Sequence, residues 1–443
     1  LNISQWLLFK KIPPHLWVAA SGWVSRIIVI IGQLVSIPFF YHRLGMTGFA
    51  IFTVITAGFI PWCAMMDFGI GSTLQNAISE ARAKNEDPAY LLSKIFPIII
   101  ALILIVSVFY LLLGGFLNSW LFSHLGNEIP SFYFSLAIAI YSSYYILLIA
   151  NKIFFGYQKG GWGYFYQNIG YGSLLLMMGI IHFFGLNVNL IEAIYCWIIP
   201  LFISGFIGFI HAFYQAKVTH LEWKIDISFA KKTMPKAFQF WLYTLSWNGI
   251  TAIDYFVIVK MLSAHEVVTY NIVNRIFIMM SYGYSAAVLN ALWPVLAEKY
   301  IQNTASTLKA AQKELRNSLI GGIIYIIVMT IALILMRGII VKVFRVQDAI
   351  ELPVTLLLVF GLYGLIRVWT DTYAMVLQAR NTLKIFLIQT PLQAAIAIGL
   401  MLWLSHYGLF GIVFALILSF VIIPLWILPL THYRTLHIHK SGT

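Results

Sequence analysis

Three arginines stand where an arginine is costly. Arg26, Arg275 and Arg367 each interrupt an apolar run long enough to cross a bilayer. One arginine at the bilayer centre costs about 2.5–3.5 kcal/mol on insertion scales. Three facing lipid would cost roughly 8–10 kcal/mol, comparable with the stability of many whole domains. They are therefore expected to face a bundle interior or a wet cavity. The planar guanidinium fork suits phosphate oxygens better than a lysine ammonium does, so such a cavity fits a phosphorylated, anionic cargo. The competing reading is charge pairing for assembly. Arg367 has Asp371 four residues on, on the same helical face, and Asp254 or Asp67 is available to the other two across a bundle.

Those three acids carry a second kind of chemistry. An aspartate buried in a membrane bundle is either a counter-ion or a group that exchanges a proton or binds a cation. Asp67, Asp254 and Asp371 are thus candidates for coupling transport to H⁺ or Na⁺, Asp254 first because Thr251 and Tyr255 beside it are polar. Asn271, Asn274 and Arg275 share one face through i, i+3, i+4 spacing. With Trp241, Tyr243, Trp247 and Tyr270 nearby, amides and flat rings of this kind suit a sugar, although aromatics near span ends also serve as interfacial anchors.

The elements that must position these residues are helices in a membrane. The 443 residues are 61% hydrophobic and only 10% charged, against about 25% charged in an ordinary soluble domain. Apolar stretches fall near 16–40, 47–70, 92–116, 131–155, 163–184 and 190–214, then near 237–260, 265–290, 316–337, 352–376, 383–404 and 409–431. The expected architecture is an all-α polytopic membrane protein of twelve transmembrane helices. It comprises an N-terminal six-helix bundle over 1–214, a polar and basic linker over 215–236, and a C-terminal six-helix bundle over 237–443. With an N-terminus in the cytoplasm, 20 of the 28 lysines and arginines fall in cytoplasmic segments and five on the opposite side. Both termini are then cytoplasmic by the positive-inside rule. The net charge of +13 is accounted for by anionic headgroups, without nucleic acid. A cleaved signal is not evident, because the first span is too long.

Two sets of six spans imply a duplication with both copies in the same orientation, related by a pseudo-two-fold axis along the membrane normal. Trp23, Leu44 and Glu80 match Trp241, Leu262 and Glu298 at an offset of 218, and Gln158 matches Gln378 at 220. Cys63 and Cys196 lie in apolar runs and read as small buried hydrophobes; His437 and His439 are too few for a metal site. No phosphate-binding loop, nucleophile elbow or HExxH motif occurs, so neither an ATP-driven pump nor a cofactor is expected.

The segments Arg43-Leu-Gly-Met-Thr-Gly-Phe-Ala-Ile-Phe52 and Asp67-Phe-Gly-Ile-Gly-Ser-Thr-Leu-Gln-Asn-Ala-Ile-Ser-Glu80 carry a family pattern. An "LG" followed by "G" and an aromatic enters span 2, then "D.G.G" with a closing acid. It resembles the polysaccharide-transporter branch of the multidrug/oligosaccharidyl-lipid/polysaccharide (MOP) exporter superfamily, in particular the Wzx-type O-antigen flippases. The resemblance implies a flippase of the bacterial inner membrane that moves an undecaprenyl-pyrophosphate-linked oligosaccharide from the cytoplasmic to the periplasmic leaflet. It further implies alternating access driven by an ion gradient, with other polysaccharide-assembly proteins as possible partners. By the same resemblance, Arg26 and Arg275 would line a cationic cavity, and the charged residues of spans 8 and 10 would be Arg275, Arg367 and Asp371. The second half departs from the pattern: Ser263 stands where the glycine would follow Leu262, and "D.G.G" has no counterpart. Three rivals remain. A multidrug exporter of the same superfamily usually carries cations, a peptidoglycan-precursor flippase usually has fourteen spans, and an oligosaccharide polymerase tends to carry a larger external loop than Leu117–Pro130.

Overall fold

A computed structural model describes residues 14–83, 85–125, 129–157, 159–284, 304–344, 352–380 and 384–438, with a few single positions between them. Among the described residues the secondary structure is helical throughout, with no strand. The chain divides into two compact units, Leu1–Leu245 and Ser246–Thr443.

In the first unit, α1 (Pro14–Thr53) continues through a π-helical turn (Val54–Gly58) into α2 (Ile60–Ala64). Then come α3 (Ile70–Ala83), α4 (Ala89–Phe122), α5 (Ser131–Leu147), α6 (Ile149–Gly156), α7 (Gly161–Phe183) and α8 (Leu190–Gln215). The division between units falls inside α9 (Ile227–Met261). The second unit continues with α10 (Ala264–Tyr284), α11 (Ala305–Phe344), α12 (Val354–Ala379), α13 (Lys384–Leu404), α14 (Gly408–Ile422) and α15 (Pro424–Ile438). Among the described residues, most of each apolar stretch is helical; the stretch near 47–70 gives way to a turn at 65–69. The last ten residues of the expected linker are helical too, since α9 starts at Ile227.

The helix boundaries have local causes. α1 is broken at Gly45, where φ is +67° and ψ −176°. Only glycine adopts that conformation without strain, so the "LG" of the sequence marks the break between the two helical stretches of α1. At the corresponding place in the second unit the break is made differently. Ser263 and Glu266 form a reciprocal cap on α10, in which the Ser263 N–H donates to Glu266 Oε2 (3.0 Å) and the Glu266 N–H to Ser263 Oγ (3.4 Å). The serine that breaks the repeat is thus a helix start. Asn189 and Glu192 cap α8 in the same way, both bonds at 2.9 Å.

In the first unit α4 lies along α5, α7 lies along both α8 and α1, and α5 packs on α8. The core is aromatic: Trp197 meets Phe52 and Tyr171 edge-on at 5.9 and 6.2 Å, and the Tyr141 hydroxyl donates to the Thr56 carbonyl (3.2 Å) in the π-helical turn. In the second unit α12 is central, packed against α10, α11, α14 and α15. The outer faces are apolar: Leu104, Ile105, Leu112 and Phe116 of α4 are exposed, as are Ile324, Val328, Ile331 and Leu335 of α11. In water such stripes would be untenable, and against lipid tails they are the expected surface. Seven helical runs among the described residues are long and apolar enough to cross a membrane. α7, α9 and α10 are not among them; α9 and α10 carry the charged and amide candidates Asp254, Asn271, Asn274 and Arg275.

Candidate functional site

The second unit gathers most of the candidates. Asp254 on α9 is 3% exposed and Asn271 on α10 is wholly buried. Tyr270 donates its hydroxyl to Asp254 Oδ2, and the Tyr255 N–H donates to Asp254 Oδ1 at 2.7 Å. One residue along each helix, the Tyr255 hydroxyl donates to Asn271 Oδ1 (3.1 Å) and Asn274 Nδ2 donates to the Tyr255 oxygen (3.5 Å). Arg275, only 7% exposed, donates through Nε to the same Asn271 Oδ1 at 2.9 Å. The face that the i, i+3, i+4 spacing predicts is therefore one hydrogen-bonded cluster. Its oxygen acceptor, Asn271, orients the guanidinium from one turn below.

Arg367 and Asp371 on α12 meet each other. Nε lies 3.3 and 3.2 Å from the two carboxylate oxygens and Nη2 lies 3.1 Å from Oδ2. Nη1 donates to the Tyr363 hydroxyl (3.0 Å), and the Phe420 ring centroid is 5.5 Å from the guanidinium carbon. Tyr363, in turn, is within electrostatic reach of Asp254. The two acids differ in kind. Asp371 is ion-paired, whereas Asp254 is held by a tyrosine hydroxyl and a backbone N–H, with no ion pair among the described residues. Tyr363 was not singled out by its sequence. The signal was its position four residues before Arg367, but an aromatic at helical spacing ordinarily reads as core.

In the first unit, Asp67 sits in the turn before α3. Its Oδ1 accepts from the Gly69 N–H (2.9 Å) and its Oδ2 from the Gly71 N–H (3.2 Å). Both glycines of "D.G.G" have a steric reason. Gly69 has φ +74°, and a Cβ there would stand 2.1 Å from the Ala237 carbonyl oxygen and 2.8 Å from the Trp241 nitrogen; one on Gly71 would stand 2.8 Å from Asp67 Oδ2. Phe68 stacks on Trp241 across the same contact, at 5.3 Å. The motif is a capped turn on which α9 lies closely, and Lys152 is within electrostatic reach of the carboxylate. The buried face of α1 carries Gly22, Ser25, Gly32 and Ser36, with Ser25 donating to Gln167 of α7 (3.3 Å). Arg26 lies in α1, but its side chain is outside the described residues, as are those of Tyr243, Trp247 and Thr251.

The chain matches the family model described as polysaccharide biosynthesis protein over residues 19–300. A "Putative O-antigen transporter" of Salmonella typhimurium is 33% identical over 427 residues, covering 95% of this chain and 97% of the relative. A "Putative O-antigen export protein" of Yersinia pseudotuberculosis is 31% identical over 449 residues, covering 96% and 97%. Among solved structures, an inward-facing multidrug-resistance MATE family transporter of the MOP superfamily aligns with a TM-score of 0.73 at 12% identity, covering 95% of this chain and 99% of that one. A lipid II flippase, MurJ, in an inward closed conformation aligns at 0.67 and 15%, covering 94% and 87%. At such identities the structures speak for the fold alone, which this chain shares with them. With its apolar helices, the chain is a multi-pass protein of the bacterial inner membrane. The resemblance read from residues 43–80 agrees with these matches, and the chain belongs to the polysaccharide biosynthesis protein family.

Proposed function

We propose that this protein is a flippase, not an enzyme. Its cargo is an undecaprenyl-pyrophosphate-linked O-antigen-type oligosaccharide, carried from the cytoplasmic to the periplasmic leaflet. The carrier has twelve spans in two six-helix bundles with both termini cytoplasmic, and works by alternating access. The observation that carries the reading is the buried Arg275–Asn271–Tyr255–Asn274 cluster of the second unit, in a chain whose relatives are named for O-antigen transport. A fixed guanidinium beside amides and tyrosines offers a phosphate donor and sugar-binding groups together. Arg26 joins it in binding the diphosphate, and Arg367 assists from its pair with Asp371. Asp254, hydrogen-bonded but not ion-paired among the described residues, is the group that takes up H⁺ or Na⁺. Cargo and ion each shift the carrier only by differential affinity for its two states.

The test is equilibrium binding of a short-chain polyprenyl-pyrophosphate oligosaccharide to the purified protein. A charge-assisted hydrogen bond contributes about 1.5–3 kcal/mol, so Arg275→Ala is expected to weaken binding roughly 10- to 100-fold at unchanged thermal stability. Arg275→Lys recovers only part of it. Asp254→Asn keeps the binding but loses the ion dependence of transport in vesicles. Undiminished binding in stable Arg26→Ala and Arg275→Ala proteins, with a cationic drug competing, would turn the assignment to a drug exporter.

A further inference from the structure

The last turn of α8, the segment between α8 and α9 and the first turns of α9 have a composition that transport does not explain. Tyr214, Leu221, Trp223, Ile225 and Ile227 are exposed, Tyr214 and Trp223 by 77% and 74%. Interleaved with them, Lys217, Lys224, Lys231, Lys232 and Lys236 are exposed too. A linker in free solution has no need of five large apolar side chains. The segment is also not free. Lys94 of α4 bridges to Asp226 at 2.5 Å, and Asp226 Oδ1 accepts from the N–H groups of Ser228 (2.9 Å) and Phe229 (3.0 Å), capping α9. Trp223 meets Phe96 of α4 edge-on at 5.4 Å, and Lys159 ties down Gln215 at 2.8 Å. Chain ordering is thus settled within the first unit, and the side chains left exposed along the segment are mostly apolar and basic.

We infer that this segment is a binding surface for anionic phospholipid, lying in the headgroup layer with Trp223 and Tyr214 among the carbonyl and glycerol groups and the lysines on headgroup phosphates. Tryptophan and tyrosine prefer that depth, and each lysine near an anionic surface contributes favourably while losing its effect beyond a Debye length. Of the two acids in the stretch, Asp226 is spent on Lys94, so only Glu222 opposes the lysines. The chemistry of the other candidate occupants differs: a soluble phosphate would not need the exposed tryptophan, and a protein partner would not need a shared cationic face. Since the segment leads into α9, within which the two units divide, lipid charge would set how firmly the start of that helix is held at the membrane. The inference rests on the cytoplasmic placement of the segment and not on the identity of the cargo.

The full chain would be reconstituted into nanodiscs of phosphatidylcholine alone or with phosphatidylglycerol. Phosphatidylglycerol is expected to raise the thermal midpoint of the wild type. It should do so much less for Lys217→Gln/Lys224→Gln/Lys231→Gln/Lys232→Gln, whose preference for the anionic lipid falls about tenfold or more. Because the substituted lysines are exposed, the quadruple variant is expected to match the wild type in phosphatidylcholine. Brominated lipid should quench the part of the fluorescence that Trp223→Phe removes. An equal phosphatidylglycerol response in both proteins, or a Trp223 that brominated lipid leaves unquenched, overturns the proposal. Protection by millimolar inorganic phosphate equal to that by the lipid does so as well. A Thr219→Cys label that reacts only from the periplasmic side of sealed vesicles would overturn the leaflet assignment, and with it this inference, while leaving the cargo reading to its own binding test.

Discussion

Single residues carry most of what this chain does with charge. Arg367 and Asp371 neutralise each other one turn apart, at 3.1–3.3 Å. Removing one partner leaves the other buried and uncompensated, which costs about 3–5 kcal/mol, whereas removing both is much milder. Thermal unfolding of Arg367→Ala, Asp371→Ala and the double variant should therefore be strongly non-additive; additivity would mean that the pair is not formed. Gly69 makes the opposite kind of demand. A Cβ at φ +74° facing the Ala237 carbonyl must move α9 or the turn, so Gly69→Ala is expected to lose at least about 2 kcal/mol, with Gly45→Ala losing less because nothing lies within 4 Å of its Cβ. Comparing the melting temperatures of the two variants checks the difference. The pairing of Arg367 with Asp371 and the shared face of Asn271, Asn274 and Arg275 were legible, because α-helical spacing fixes both. The role of Tyr270 toward Asp254 was not, since it joins two helices.

At the scale of elements, membrane helices tolerate proline only where another group satisfies the carbonyl it frees. α15 shows this directly. Pro429 has no N–H to offer the Leu425 carbonyl four residues earlier, and Trp369 of α12 donates its indole Nε1 to that oxygen at 3.1 Å. Trp369→Phe keeps an aromatic ring but removes the donor together with part of the indole volume. It is expected to cost about 1–3 kcal/mol, and a Pro429→Ala change, which restores the N–H, should recover most of it. A Trp369→Phe protein as stable as the parent would show that the carbonyl finds another donor. The break at Gly45 and the Ser263–Glu266 cap make a similar point: a left-handed glycine interrupts one helix, and a side-chain cap starts another.

For the molecule as a whole, two units are each built around their own core, with apolar outer faces and polar groups turned inward. The segment leading into α9 is fixed to the first unit by an ion pair whose pH dependence has a definite sign. The hydrogen bond from Lys94, followed by those from the Phe229 N–H and Ser228, holds the Asp226 carboxyl well below the usual carboxylate range. A depressed folded value means that its contribution is complete above the unfolded value near ~4 and is lost as pH falls through the folded one. Acidification below about pH 4 should therefore loosen residues 218–226, seen as faster hydrogen exchange there. Asp226→Asn should show that exchange already at neutral pH, with little further change on acidification. The effect is small and weakens with salt, because the pair is partly solvated.

The sequence by itself determined the class of the protein and the family, and it marked the apolar stretches on which the long described helices are built, because apolar length and turn glycines act locally along the chain. It also placed the residues that lie within one helical turn of each other. Tertiary structure alone decided what each charged group meets. Asp67 became the cap of a turn on which α9 lies, Asp254 became the partner of a tyrosine on the next helix, and Trp369 came to serve a proline sixty residues away. These outcomes depend on which helices pack together, and a hydrogen bond between helices leaves no periodic trace in either one.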